Sequence, residues 1–398
     1  MSETIVIRES TWHAGFHALI RSLYYSRVTV HGREHLPSHG PVLLLLLHRN
    51  GGVDGFVYRA VWPQICYTLK ATLRKSLMGR IFFNGLEIAR SDDGADASEN
   101  LAVIEQCVTV LKQGACLGIF PEGTSKLGPA HLSFRSGAAR IASQYRSQRD
   151  DLCVVPCGIH YERAWAFRSR VEIVIGSPIS LDATASLGSI RKEFTIALEQ
   201  VGANFPDAAT QQIAERFAYM ATLGTSHSYA TVLQQLARGI PAELHQGWDA
   251  WEKTSCGRSL FLHQGVPLFP LRHAWLYVLA GALMFLFILP GVIVQALPLS
   301  VAAIAGKTLS DDTNVIALWR ILTGMPIALL WNLLLLILVA WNGSWLLLCG
   351  AWCSSALTIL LWYRCKKTLV VAANGLFHRD LREAAQKLHA LVLHSLTS

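Results

Sequence analysis

His48 and Asp54 stand six positions apart in the segment His48-Arg-Asn-Gly-Gly-Val-Asp54, directly after the apolar run Val42–Leu47. A histidine can take a proton from an alcohol, and a carboxylate on its other ring nitrogen fixes the tautomer and stabilises the imidazolium. The pair reads as a general base with its orienting acid. The same two residues also fit a loop histidine beside a capping aspartate, so neighbouring stretches have to decide.

Three further stretches carry chemistry. Gly114–Phe120 runs into Pro121-Glu-Gly-Thr-Ser-Lys126. A turn with exposed backbone N–H groups, hydroxyls and a lysine makes an anion cradle. Glu122 is the odd member, because a carboxylate repels phosphate. Its expected part is to bond a substrate hydroxyl or to position a basic neighbour. Arg90 ends the segment Gly85–Arg90, where a guanidinium can hold a phosphate through a forked pair of hydrogen bonds or simply meet solvent. Arg135 falls near the first turn of a helix expected over 132–142.

These residues need a frame. Leu43–Leu47 shows no alternation and is bounded by proline and a glycine pair, which predicts a strand covered on both faces. Its far end would be the sheet edge where open α/β folds place their sites. Strands are expected near 28–30, 42–47, 66–68, 85–90, 114–120, 152–159 (broken by Pro156) and 170–175. Helices are expected near 56–62, 97–113, 132–142 and 189–201. That alternation predicts an α/β domain over 31–203 with a mostly parallel sheet flanked by helices.

Hydrophobic residues make up 52% of the 398 and charged residues only 16%, so part of the chain should meet lipid. The net charge of +8 suits an anionic membrane surface or phosphorylated, CoA-type substrates. Nucleic acid fits poorly because the basic residues are dispersed. Nine cysteines lack metal-ligand spacing, which implies a reduced, cytosolic setting and no metal. No cleavable signal peptide is visible at the N-terminus.

Residues 1–30 hold an expected amphipathic helix, with Trp12, Phe16, Leu19, Ile20 and Leu23 at helical spacing, set either in the membrane interface or on the core. Residues 204–270 read as a helical connecting region, with helices over 206–223 and 229–251. Residues 271–365 form a membrane region with two or three spans at about 274–294, 321–341 and 345–363, edged by tryptophan and tyrosine. Three spans set the preceding domain opposite Arg364, Lys366 and Lys367, whereas an even number sets both on one face. Pro290-Gly291 and Pro298 interrupt 274–305, which reads either as a re-entrant pair or as one span plus an interfacial piece. Residues 366–398 end in an amphipathic tail.

Four stretches, in order, resemble the glycerolipid acyltransferase superfamily, which acylates glycerol phosphate and lysophospholipids. His48–Asp54 is similar to its His/Asp motif, Gly85–Arg90 to its second motif, Phe120–Thr124 to its third and Val154–Gly158 to its fourth. Leu132–Ala138 resembles the segment after the third motif. The family usually places four residues between His and Asp, and here Arg49–Val53 makes five. That longer spacing, with Phe167–Arg170, looks like the fungal-type glycerol-3-phosphate/dihydroxyacetone-phosphate branch. The resemblance implies acyl transfer from acyl-CoA or acyl carrier protein, a co-substrate and not a resident cofactor, to a hydroxyl of a phosphorylated glycerol or lysophospholipid. It implies His48 as base, Asp54 as its orienter, and Arg90, Glu122, Gly123, Thr124, Lys126 and Arg135 around the acceptor. The implied partners are the bilayer, the acyl donor and the acceptor, with the catalytic domain on the cytosolic face. The alternative is an inactive relative serving as a membrane scaffold or lipid-binding protein.

Overall fold

The computed structural model describes residues 11–88, 97–182 and 184–397. Arg90 lies outside them. The chain divides into two compact units, the first comprising residues through Ser22, Val28–His160 and Val171–Asn204, the second Leu23–Arg27, Tyr161–Arg170 and Phe205–Ser398.

The first unit is an α/β layer structure. Its order is α1 (Thr11–Tyr24), β1 (Arg27–His31), β2 (Val42–Leu46), α2 (Val53–Tyr58), β3 (Cys66–Lys70), α3 (Leu77–Phe82), β4 (Leu86–Ile88), α4 (Ala97–Lys112), β5 (Cys116–Ile119), α5 (Gly137–Arg146), β6 (Cys153–Tyr161), β7 (Arg170–Ile175) and α6 (Leu187–Val201). The seven strands form one sheet ordered β1-β7-β6-β2-β5-β3-β4. Strand β2 pairs in parallel with β5 and β6, and β3 in parallel with β5 and β4. The sheet is therefore mostly parallel, as the unalternating leucine run requires.

Leu43 to Leu47 are at most 1% exposed, each contributing about 1.5–3 kcal/mol by burial. On one face Leu43, Leu45 and Leu47 join a core with Ile104, Val108 and Leu111 of α4, Ile141 and Tyr145 of α5, and Phe194 and Leu198 of α6. The register Leu45–Ile119 aligns the carboxyl ends of β2 and β5. The segments after them, which begin at His48 and Phe120, leave the sheet side by side.

Several elements differ from expectation. Helix α5 starts at Gly137, so Arg135 stands before it, in a loop tied by its own N–H to the Pro121 carbonyl at 2.9 Å. Pro156 does not break β6: it pairs with Leu45 and its carbonyl accepts from Gly176 N at 2.9 Å. Helix α1 packs on the core through Phe16, His17 and Ile20, while Trp12 and Leu19 are exposed.

The second unit carries α7 (Ala208–Ala221), α8 (Tyr229–Ala237), α9 (Ala242–Ser255), the short strands β8 (Leu262–His263) and β9 (Val266–Pro267), α10 (Ala274–Val294), α11 (Ala296–Thr308), α12 (Ile316–Asn342), α13 (Trp345–Phe377) and α14 (Arg382–Thr397). The single helix expected over 229–251 is two, because Gly239 at φ 156° and Pro241 interrupt it. Among the described residues three helices are long and apolar enough to cross a membrane: Ala274–Val294, Thr313–Asn342 and Trp345–Phe377. Helix α13 continues well past residue 363. The tail helix α14 lies on protein, with His389 Nε2 3.1 Å from the Met220 carbonyl and Ser395 Oγ donating to Glu243 at 2.8 Å.

Candidate active site

The turn after β2 is built around one carboxylate oxygen. Asp54 is fully buried, and its Oδ2 accepts from His48 Nδ1 at 2.9 Å, Arg49 N at 2.6 Å and Asn50 N at 2.7 Å. Gly51, at φ 54°, takes the left-handed conformation that glycine adopts without strain. That kink absorbs the extra residue of the turn and lets α2 begin at Val53. Tyr58 Oη then donates to the carbonyls of Leu47 and Cys157, at 3.0 and 3.1 Å, and Tyr67 Oη to Gly55 O at 2.7 Å, fixing α2 to three strands or strand ends.

The geometry sets the orientation of the His48 ring. With Nδ1 bonded to a carboxylate, the neutral imidazole has Nε2 as its acceptor nitrogen. The imidazole stacks on Phe120 at 4.2 Å between centroids, and Phe120 stacks in turn against Tyr67 at 6.0 Å. The ring is thus clamped on its face and at one edge, with 16% of the side chain open.

Glu122 is 2% exposed, and its two oxygens accept from different backbone groups: His48 N at 2.8 Å and Leu132 N at 3.1 Å. Burial pushes its carboxyl above the usual range, and the two N–H bonds and the charge of Arg49 pull the other way. This carboxylate joins the turn after β2 to the segment after β5. Arg49 Nη2 bonds Gly128 O at 2.7 Å, and Lys126 N bonds His48 O at 3.2 Å, adding two more ties between the same segments.

A cavity of about 410 Å³ opens beside His48. His17, His48, Gly123, Arg135, Lys70 and Arg140 contribute polar lining, and Leu69, Leu73, Phe83, Ile104 and Ile141 an apolar part. Among the described residues its wall holds three permanent cations and no carboxylate, a lining suited to an anionic group beside an apolar chain. Gly123, at φ 74°, lets Arg135 lie against it: a Cβ there would sit 2.9 Å from Arg135 Nε.

Of the sequence candidates, His48, Asp54, Glu122, Gly123 and Arg135 come together here. Thr124 and Lys126 are exposed and do not line the cavity; the Lys126 stem runs over Gly128. Lys70 and Arg140 were not singled out by sequence, although Lys70 ends a strand as Arg90 was expected to. His17, reaching in from α1 with Nε2 2.8 Å from Phe82 O, had no sequence signal beyond its helical position.

The Acyltransferase family model matches residues 27–160. An uncharacterized acyltransferase of Schizosaccharomyces pombe is 41% identical over 73 residues, 18% of this chain and 11% of that protein. Glycerol-3-phosphate O-acyltransferase 2 of Saccharomyces cerevisiae is 30% identical over 131 residues, covering 30% of this chain and 18% of the relative. The aligned stretches thus span less than a fifth of these curated relatives. A solved 1-acyl-sn-glycerophosphate acyltransferase, PlsC from Thermotoga maritima, is 20% identical with a TM-score of 0.36, covering 47% of this chain and 75% of that one. Over residues 27–160 the chain thus matches an acyltransferase-family domain, and the proteins it is similar to include fungal glycerol-3-phosphate O-acyltransferases.

Proposed function

We propose that the protein is a membrane-bound O-acyltransferase that moves a fatty acyl group from a thioester, acyl-CoA or acyl carrier protein, to a hydroxyl of a glycerol phosphate or lysophospholipid. The observation that carries this reading is the 2.9 Å bond from His48 Nδ1 to the buried Asp54, which orients the ring so that Nε2 is the nitrogen that can take a proton, beside a cation-lined cavity. His48 Nε2 takes the hydroxyl proton as the alcohol oxygen attacks the thioester carbonyl. The C–O bond forms, the C–S bond breaks, and the thiolate leaves with the proton returned from the imidazolium. Asp54 stabilises the imidazolium in between. No covalent acyl-enzyme is required, since a thioester is already activated.

Arg135, Lys70 and Arg140 would hold the acceptor phosphate, with Arg90 a further candidate. Glu122 and Gly123 position the base and Arg135. Thr124 and Lys126 flank the turn. Apolar helices in the second unit supply membrane attachment, and a cytosolic catalytic face fits the reduced cysteines. The scaffold alternative drew on the long His-to-Asp spacing, which the Gly51 kink accommodates.

The test follows release of CoA thiol from palmitoyl-CoA by the full chain in detergent. Glycerol 3-phosphate, dihydroxyacetone phosphate and lysophosphatidate serve as acceptors, with His48→Ala in parallel. Acceptor-dependent release that falls at least about 100-fold in the variant supports the reading. Release unchanged by the substitution, or none with any acceptor and either donor type, overturns it.

A further inference from the structure

We infer that α10 and α11 form a re-entrant hairpin whose apex, Gln295, stops at the bilayer midplane, so that among the described residues only α12 and α13 cross the membrane. The inference rests on these helices being membrane-embedded and not on acyl-transfer chemistry.

The helix pairs fix the levels. Helix α13 runs against α10 with Gly291 seated on Ser354 and Gly281 on Leu369, and α12 runs against α11 with Gly306 on Arg320 and Gly324 on Ala302. Such glycine contacts allow close backbone approach between apolar helices. Down α10 and back up α11, the chain turns at Gln295. There Gln295 Nε2 donates to Asn332 Oδ1 at 3.1 Å and Ser355 Oγ at 3.3 Å, and Trp352 Nε1 donates to Asn332 Oδ1 at 3.0 Å. Trp331 Nε1 caps the last carbonyl of α10, Val294 O, at 2.8 Å. Gln295, Asn332 and Ser355 therefore share one depth.

That depth is set by the two longer helices. Ile321–Trp341 and Trp345–Tyr363 each measure roughly 30 Å at 1.5 Å per residue, the thickness of a hydrocarbon core. Arg320 and Arg364 mark one end, and Trp341 and Trp345 the other. Asn332 and Ser355 fall near the midpoints. Below them, Leu333, Leu334, Ile337, Leu338, Leu346 and Leu347 are all exposed by 45% or more. If Gln295 lay at the far interface, this apolar layer would stand in water.

The helix break itself argues for the same depth. Non-helical backbone within a bilayer survives only where protein groups satisfy it, and the Trp331 cap on Val294 O does so together with the bonds from Gln295 N to Gly291 O and from Leu299 N to Gln295 O, both 3.0 Å. Thr358 and Ser354 of α13 likewise donate to Ile288 O and Phe287 O beside Pro290, at 3.1 and 3.0 Å. The first half of α10, with Trp275 and Tyr277, then occupies the interfacial zone, and Lys307, Asp311, Asp312, Arg320, Arg364, Lys366 and Lys367 all emerge on one face. No span precedes Ala274 among the described residues, so the segment that leads into α10, with Cys256, shares that face. An even number of crossings thereby satisfies the positive-inside tendency that three crossings violate.

The test labels the full chain in sealed membrane vesicles with a membrane-impermeant maleimide, before and after permeabilisation, and locates the adducts by peptide mass. Native Cys256, exposed ahead of α10, is the reference, and Asp311→Cys and Asn342→Cys report the two loops. Positions 256 and 311 should label together and 342 from the opposite side. Labelling of 311 opposite to 256, or from neither side, or of 342 together with 256, overturns the hairpin. CoA release assayed on the same vesicles reads the catalytic proposal separately.

Discussion

His48 Nδ1 lies 2.9 Å from Asp54 Oδ2, and that same oxygen accepts the backbone N–H groups of Arg49 and Asn50. The aspartate therefore has two separable roles, orienting the ring and closing the turn. His48→Ala removes only the ring, so CoA release should fall about 10²–10⁴-fold while thermal stability hardly changes. Asp54→Ala strips the acceptor from two buried N–H groups as well and should cost about 2–5 kcal/mol in addition to activity. Thermal unfolding of the two variants checks this; equal losses of stability would refute the division.

Glu122 is expected to behave as a positioning residue. Its two oxygens each hold one backbone N–H, from His48 and from Leu132. Glu122→Gln turns an NH₂ toward one of them, setting donor against donor. The turn carrying His48 should shift, lowering kcat about 10–100-fold with a small change in KM, and stability should drop by about 1–3 kcal/mol. A variant with a raised KM and wild-type kcat would place Glu122 on the acceptor instead.

The legibility of this chain follows from which residues carry local signals. Leu43–Leu47 announces a doubly covered strand because burial on both faces removes any need for alternation, and β2 is where that run is. The His48 turn and the Phe120–Lys126 segment were legible as chemistry, but their closeness depends on β2 and β5 pairing in register, which no local signal encodes. Arg135 was misplaced onto a helix because Leu132–Ser136 has no breaker, while in the fold its backbone is held by Pro121. Lys70 and Arg140 became visible only once β3 and α5 framed the cavity. The Gln295 turn was hinted at by two prolines, and its polar partners Asn332 and Ser355 lie too far along the chain to be paired by eye.

Among the described residues three cations line the cavity, and under the proposed function they should share the acceptor phosphate unequally. Arg135 packs on Gly123 and can present a fork, whereas Lys70 is a point charge at the end of β3. Arg135→Gln should raise KM for a phosphorylated acceptor about 10–100-fold, the equivalent of about 1.5–3 kcal/mol for a lost charged hydrogen bond, and Lys70→Gln less. Gly123→Ala should mimic a weaker Arg135→Gln, because the added methyl meets Arg135 Nε at 2.9 Å and the positive φ is strained. Steady-state kinetics with acceptor varied at saturating donor distinguish these; a pure kcat effect in Arg135→Gln would remove it from phosphate binding.

Acid should unfold the α/β unit through its buried histidines. His160 is 5% exposed with Nε2 2.9 Å from the Val201 carbonyl, and burial lowers its pKa to about 4. His131, half-buried with both ring nitrogens enclosed, is lowered to about 3 by desolvation. In the unfolded chain both titrate near 6.5. Between those values the unfolded state binds more protons, so the stability present above pH 6.5 is lost as pH falls toward 4. For His160 the full difference is worth roughly 3 kcal/mol. His160→Gln keeps a side-chain N–H for Val201 O and cannot titrate, so its melting temperature should fall less steeply between pH 7 and pH 4.5 than that of the wild type. Parallel melting curves across that range would mean that His160 is protonated in the folded protein and that burial does not control it.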